Sequence, residues 1–153
     1  MSKSFTRWAM SLPFFLAIGT PPASAALGGA VDTVNADEVK LQAVRHVARR
    51  AATHEVHELT LASGTVVREF VAPSGAVFAV TWQGPFKPDL NQLLGAYFPR
   101  LVAAGQMRHA DHRALSVHAP DLVIESGGRM RAFTGRAYLP EMVPATVSLG
   151  ELR

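Results

Sequence analysis

The chain has no cysteine among its 153 residues, which narrows its chemistry at once. Disulfides, thiolate nucleophiles, cysteine-ligated zinc and lipid attachment through a lipobox cysteine are all excluded. A long apolar segment is missing as well. The apolar run at residues 8–18 is shorter than the roughly 20 residues that a membrane-spanning helix needs. We therefore predict no transmembrane segment.

Familiar nucleotide-binding and hydrolase motifs are also missing. The sequence contains no Gly-x-x-x-x-Gly-Lys string, no Gly-x-Gly-x-x-Gly string and no Gly-x-Ser-x-Gly elbow. Ser63, Ser74 and Ser126 each precede a glycine, which is typical of turns. These absences argue against phosphate-loop enzymes and serine hydrolases.

The chain has only a small excess of positive charge. The net charge is +3, and it falls to +1 if Lys3 and Arg7 are removed with a leader segment. Acidic residues are interspersed with the arginines, so no clustered basic face of the kind that binds nucleic acid is predicted. We expect a solvated surface of mixed charge.

The N-terminus carries a recognisable export pattern. Lys3 and Arg7 give a positive start, residues 8–18 are apolar, and Ala23-Ser24-Ala25 is a small-residue cleavage site. Together these features predict a secretory signal peptide over residues 1–25. The expected location is the periplasm or the extracellular medium. Residues 26–36 are small and glycine-bearing and predict a flexible mature N-terminus, followed by a single domain over residues 37–153.

Periodicity assigns the elements of this domain. Val39, Ala43, Val47 and Ala51 recur at a spacing of four, which predicts a helix over residues 37–52. Residues 54–61, 65–72 and 77–82 alternate and are separated by short turns, which predicts an antiparallel meander.

The second half of the chain predicts a helix and a hairpin. Leucine, tyrosine, phenylalanine and valine side chains at three-four spacing over residues 90–102 predict an amphipathic helix, with Asp89 at its start, an interruption at Pro99 and an end at Gly105. Residues 106–119 are predicted to form a polar loop with a short strand near residues 115–117. Residues 121–125 and 129–139 are predicted to pair across a turn at residues 126–128. The fold class predicted is α+β, with the meander and C-terminal hairpin in one curved sheet and the amphipathic helix on one face.

Candidate site residues are few. His109, Asp111, His112 and His118 are the weak candidates for metal ligands, because imidazoles and a carboxylate lie close together in the chain. The competing interpretation is a polar loop without a ligand, and it is the one we favour. Four glutamates on the predicted strands are interpreted as lying on solvated faces of the sheet: Glu55, Glu58, Glu69 and Glu125.

An aromatic pair at the exit of the third predicted strand offers a possible partner surface. Trp82 and Phe86 flank a Gln-Gly-Pro turn, where aromatic rings suit a glycan or a proline-rich peptide. Packing in the core beneath the helix is the favoured alternative. No catalytic residue and no cofactor is predicted.

Several stretches together resemble a known family. They are residues 26–29, 64–71, 75–85, 88–90, 93–98 and 128–137, with Val77-Phe78-Ala79-Val80-Thr81-Trp82-Gln83-Gly84-Pro85 as the most specific string. This pattern is similar to a family of small exported proteobacterial proteins described only as a domain of unknown function, DUF2844. The resemblance implies an exported single-domain protein and supplies no catalytic residues to carry over.

Two functional hypotheses follow from the sequence. The first is an exported, non-enzymatic protein that binds an envelope protein or a glycan. The second is an envelope hydrolase or metal-dependent enzyme that uses the segment from His109 to His118. The first is preferred because the chain lacks a strong catalytic constellation.

Overall fold

Seven strands and three helices make up the described part of the chain. The computed structural model describes residues 27–107 and 114–152. The helices are α1 (Val34–Lys40), α2 (Leu90–Leu94) and α3 (Phe98–Met107). The strands are β1 (Ala43–Arg50), β2 (Glu55–Leu61), β3 (Val66–Val71), β4 (Val77–Gly84), β5 (Ala114–Ala119), β6 (Leu122–Arg129) and β7 (Ala132–Tyr138).

All seven strands lie in one antiparallel sheet. Their spatial order is β1-β2-β3-β4-β7-β6-β5, and the sheet does not close on itself. Strands β1 to β4 run as consecutive hairpins. The segment carrying α2 and α3 then crosses to the far edge, so that β7 returns to pair with β4. The predicted α+β class, with a meander and a C-terminal hairpin in one sheet, is confirmed.

The meander follows its predicted boundaries closely. Strands β2, β3 and β4 pair antiparallel, and the turns between them fall at the predicted Ser-Gly positions. Gly64 and Gly75 both adopt a φ of +83°, a conformation that glycine reaches without steric cost. In this part of the chain, the turn residues and the strand alternation therefore predict the strands and turns that the structure shows.

The predicted helix over residues 37–52 is wrong. Helix α1 ends at Lys40, Gln42 turns the chain with a φ of +55°, and the remaining residues form strand β1. Strand β1 pairs along β2, from Arg45 opposite Thr60 to Arg50 opposite Glu55. The four-residue spacing of small and β-branched residues suits either conformation, and the backbone hydrogen bonds to β2 select the strand.

The segment before α1 is held against the sheet, although its composition predicted a flexible segment over residues 26–36. The Leu27 amide donates to the Leu93 carbonyl at 3.0 Å, and the Val31 amide donates to the Gly75 carbonyl at 2.8 Å. Leu27 itself is buried in the core. Paired backbone and a buried leucine outweigh the freedom that the neighbouring glycines confer.

The helical segment begins at the predicted residue, but it is interrupted before Pro99 and continues beyond Gly105. The Asp89 carboxylate accepts hydrogen bonds from the Asn91 and Gln92 amides, which caps α2. A 3₁₀ turn at Gly95–Tyr97 separates α2 from α3, and Pro99 occupies the first turn of α3, where its missing N–H costs nothing. Gly105 does not end the helix, since α3 continues through it to Met107.

The C-terminal hairpin turns later than predicted. Strand β6 continues through residues 126–128, and the two-residue turn lies at Met130 and Arg131. Gly128 is needed within the strand, because a Cβ there would lie 2.3 Å from the Ala132 carbonyl oxygen. The short strand expected near residues 115–117 is the longer strand β5, which pairs along β6.

The two faces of the sheet carry separate cores. On the covered face, α2 and α3 contribute Leu93, Leu94 and Leu101 to a large cluster with the strands. On the open face, Val147 and Leu152 of the C-terminal segment cover a smaller cluster at one end of the sheet. Over the described ranges 27–107 and 114–152, no helix is long and apolar enough to cross a membrane.

Candidate functional site

Only one of the predicted metal ligands lies in the described part of the chain. His109, Asp111 and His112 lie outside it. His118 lies on β5 with its side chain mostly exposed, and its Nε2 atom is 3.6 Å from the Glu125 Oε1 atom on β6. Within residues 27–107 and 114–152, no three potential metal-ligating side chains converge.

The two aromatic residues of the possible partner surface differ in their exposure. Trp82 is 1% exposed and belongs to the covered-face core, as the favoured packing interpretation predicted. Its indole lies against Gly135 on β7, where a Cβ would come within 2.2 Å of the ring. Phe86 is 55% exposed, and its backbone is held by hydrogen bonds with the Thr65 hydroxyl. Phe86 is therefore the member of the pair that a partner can reach.

An accessible cavity lies on the open face, over the half of the sheet formed by β4, β7, β6 and β5. We call it the open-face groove. Its volume is about 690 Å³. Its polar lining comes from the strands and its apolar lining from both the sheet and the C-terminal segment; the lining residues are Gln83, Ala114, Leu115, Ser116, His118, Glu125, Ser126, Gly127, Thr134, Gly135, Arg136 and Leu152.

An ion pair fixes the polar groups in the middle of this groove. Glu125 and Arg136 face each other across β6 and β7, and the Arg136 Nε atom donates to the Glu125 Oε2 atom at 2.7 Å. The Arg136 Nη1 atom donates to the Leu149 carbonyl at 3.1 Å, which links the C-terminal segment to the same site. Both side chains are about one third exposed. They offer a ligand charge-assisted donors and acceptors in a fixed geometry.

Two glycines are among the residues that line the groove. Gly127 and Gly135 lie on adjacent strands within the lining. Gly135 cannot be larger because Trp82 fills the space behind it. The Ser116 and Thr134 side chains also line the groove. This arrangement suits binding through hydrogen bonds.

A second polar cluster is buried on the covered face. Asp37 of α1 and Glu69 of β3 are both fully buried, and their carboxyl groups lie close enough for each to affect the pKa of the other. The Gln92 side-chain amide of α2 donates to the Asp37 Oδ1 atom. We call this group the buried carboxyl pair, and it joins two helices to the sheet.

The buried carboxyl pair retains a proton near neutral pH. Burial raises the pKa of Glu69 to about 9, and the neighbouring Asp37 carboxylate adds to this rise. Burial also raises the pKa of Asp37, to about 6, against the opposing effect of its bond to Gln92. Two neighbouring carboxyl groups buried away from water repel each other when both are ionised, so one of them stays protonated. The prediction that Glu69 lies on a solvated face is therefore wrong.

Two histidines form a neighbouring network. The His46 Nδ1 atom is 2.8 Å from the Glu38 Oε2 atom, and the His46 Nε2 atom is 3.0 Å from the His57 Nδ1 atom. His57 lies opposite Glu69 in the register of β2 and β3. Burial lowers the pKa of His57. Sequence reasoning missed this network because it assigned His46 to a helix, whereas adjacent strands bring the two rings together.

The open-face groove, the buried carboxyl pair and the histidine network all lie in an α+β domain built on one open antiparallel sheet. The family model for DUF2844, a protein family of unknown function, matches residues 23–152. The chain belongs to this family. No curated protein and no solved structure matches the chain.

Proposed function

We propose that this chain is an exported, non-enzymatic single-domain protein that binds an envelope protein or a glycan in the open-face groove. The observation that carries the proposal is the groove itself, an accessible cavity of about 690 Å³ with the Glu125–Arg136 pair held at its centre. The buried carboxyl pair has the more perturbed pKa values, but its complete burial keeps substrates away from it. We assign that pair a structural role.

The binding proposal is tested by filling the groove. Thr134 is exposed and lines the groove, so Thr134→Arg introduces a long cationic side chain there. We expect this variant to lose partners that the unaltered chain retains from a cell-envelope extract. Ser74→Arg, in the exposed β3–β4 turn outside the groove, adds the same charge and is expected to retain them. Equal retention by both variants would place the binding surface elsewhere.

Export rests on the N-terminal pattern and has its own test. Cleavage is expected after Ala25, because Ala23 and Ala25 occupy the small-residue positions before the cut. N-terminal sequencing of the chain recovered from the exported fraction should begin at Ala26. An intact Met1 in that fraction would contradict the proposal.

The position of His118 supports one alternative function, a metal-dependent envelope enzyme. His118 lies beside Glu125 in the groove and follows His109, Asp111 and His112 in the chain. If these residues hold zinc, the metal raises the melting temperature by mass action, and the His109→Ala/His112→Ala double variant abolishes that rise.

We expect the other outcome, in which zinc has no effect and the double substitution changes the free energy of unfolding by less than about 0.5 kcal/mol. The measurement is thermal unfolding with and without zinc after dialysis. Stoichiometric zinc retained by the unaltered chain and lost by the double variant would favour the enzyme.

A further inference from the structure

The two edge strands of the sheet differ in how well they are protected against pairing with a further strand. Strand β1 carries Arg45, Arg49 and Arg50, and its register with β2 is irregular between Ala43 and Arg45. Charged residues and irregular pairing are the usual means of preventing a further strand from adding to a sheet. Strand β5, at the opposite edge, has the sequence Ala-Leu-Ser-Val-His-Ala, with no lysine, arginine, acidic residue or proline. Within the described residues, β6 is its sole neighbour in the sheet.

The hairpin geometry identifies which backbone groups point outwards from β5. Ala119 pairs with Leu122 across a two-residue turn, and such a turn closes on a hydrogen-bonded pair. Antiparallel ladders alternate, so Val117 also bonds to β6, while the N–H and C=O groups of Ser116 and His118 point away from it. The outer edge of β5 therefore presents donors and acceptors at the spacing of a strand.

The same two residues connect this edge to the open-face groove. Ser116 and His118 line the groove, so their side chains lie on the open face. Leu115 and Val117 pack instead against the covered-face core, next to α3. Helix α3 also exposes two apolar side chains, Val102 and Met107. A strand added outside β5 would thus have a polar groove beside one face and an apolar helix beside the other.

We propose that the partner of the open-face groove is an extended peptide segment of another protein, which adds to the sheet as an eighth strand along β5. Main-chain hydrogen bonds to Ser116 and His118 supply the pairing, and alternate side chains supply the selectivity. The segment carries polar residues on the groove side and apolar residues on the α3 side. This inference rests on the proposed binding function, and it commits that function to a protein partner.

Strand addition can be tested with a displayed library of short random peptides. We expect it to yield binders with alternating polar and apolar residues. His118→Pro removes the outward N–H but none of the β5–β6 ladder bonds, and proline is tolerated at an edge strand. Binding should weaken about tenfold, which corresponds to the loss of one main-chain hydrogen bond. The control His118→Ala keeps the N–H and removes the imidazole, and it should bind within about twofold of the unaltered chain.

Amide hydrogen exchange gives a readout that does not depend on a variant folding. The Ser116 and His118 amides of the unaltered chain should be protected when a selected peptide is added. If no peptides are selected, or if selected peptides neither protect these amides nor respond to His118→Pro, strand addition is overturned. Thr134→Arg separates the two proposals: loss of envelope partners in that variant, without amide protection by peptides, would retain the groove as the binding site and exclude the added strand.

Discussion

Raising the pH from about 6 to about 9 is expected to destabilise the domain progressively, because the buried carboxyl pair must keep a proton that the unfolded chain has already released. The pKa of Glu69 rises on folding from 4.5 to about 9. Between these values the native state binds the extra proton, so the free energy of unfolding decreases as pH increases. Each proton bound in excess by the native state corresponds to a slope of about 1.4 kcal/mol per pH unit.

Asp37 and His57 affect how the free energy of unfolding depends on pH in the acidic range. Asp37 also has a raised pKa, of about 6, and contributes a loss of stability between 3.8 and that value. The pKa of His57 is lowered by burial, which has the opposite sign: its contribution is lost as pH falls below 6.5. The window above about pH 6.5 therefore isolates Glu69, and urea unfolding at several pH values in that window measures its slope.

Glu69→Gln tests the assignment directly. The amide stays neutral at every pH and retains a donor for Asp37, so the fall in stability above about pH 6 should flatten. Glu151→Gln makes the same substitution at an exposed position and should keep the slope of the unaltered chain. A Glu69→Gln variant with an unchanged slope would show that the proton is held elsewhere.

Leu94→Ala is expected to lower the free energy of unfolding by about 2–5 kcal/mol, as truncations of buried leucines do. Leu94 is 0% exposed and lies in the covered-face core with Leu93, Leu101 and Trp82. The surrounding backbone belongs to a paired sheet, which has little freedom to close the cavity that the substitution creates. Urea unfolding gives the change through its midpoint, with the slope expected to stay constant.

Val39→Ala provides the comparison for Leu94→Ala. Val39 is also helical, in α1, but it is 76% exposed. Its truncation should change the free energy of unfolding by no more than about 0.5 kcal/mol. If the two variants unfold at the same midpoint, the amphipathic helical segment does not stabilise the sheet in the way that the structure indicates.

Local signals were enough to predict the centre of the fold. Alternation over β2, β3 and β4, with glycine turns between them, identified the meander, because neighbouring residues alone determine strand and turn in that stretch. Asp89 was identified as a helix start for the same reason: a cap is formed by residues two and three positions away. The α+β class followed from these elements together.

The remaining features depend on contacts between distant parts of the chain. Strand β1 was predicted as a helix because its residues suit both conformations, and only pairing with β2 decides between them. Glu69 was placed on a solvated face because alternation does not show which face a helix will cover.

The open-face groove is the clearest case of a feature that the tertiary structure decided. The open-face groove exists because β7 pairs with β4 and the C-terminal segment returns to Arg136. By itself, the sequence determined the cysteine-free composition, the meander and the helix cap, all of which are local or compositional. The covered face, the proton on the buried carboxyl pair and the groove were decided by long-range packing, since burial, which no short segment encodes, determines both accessibility and pKa.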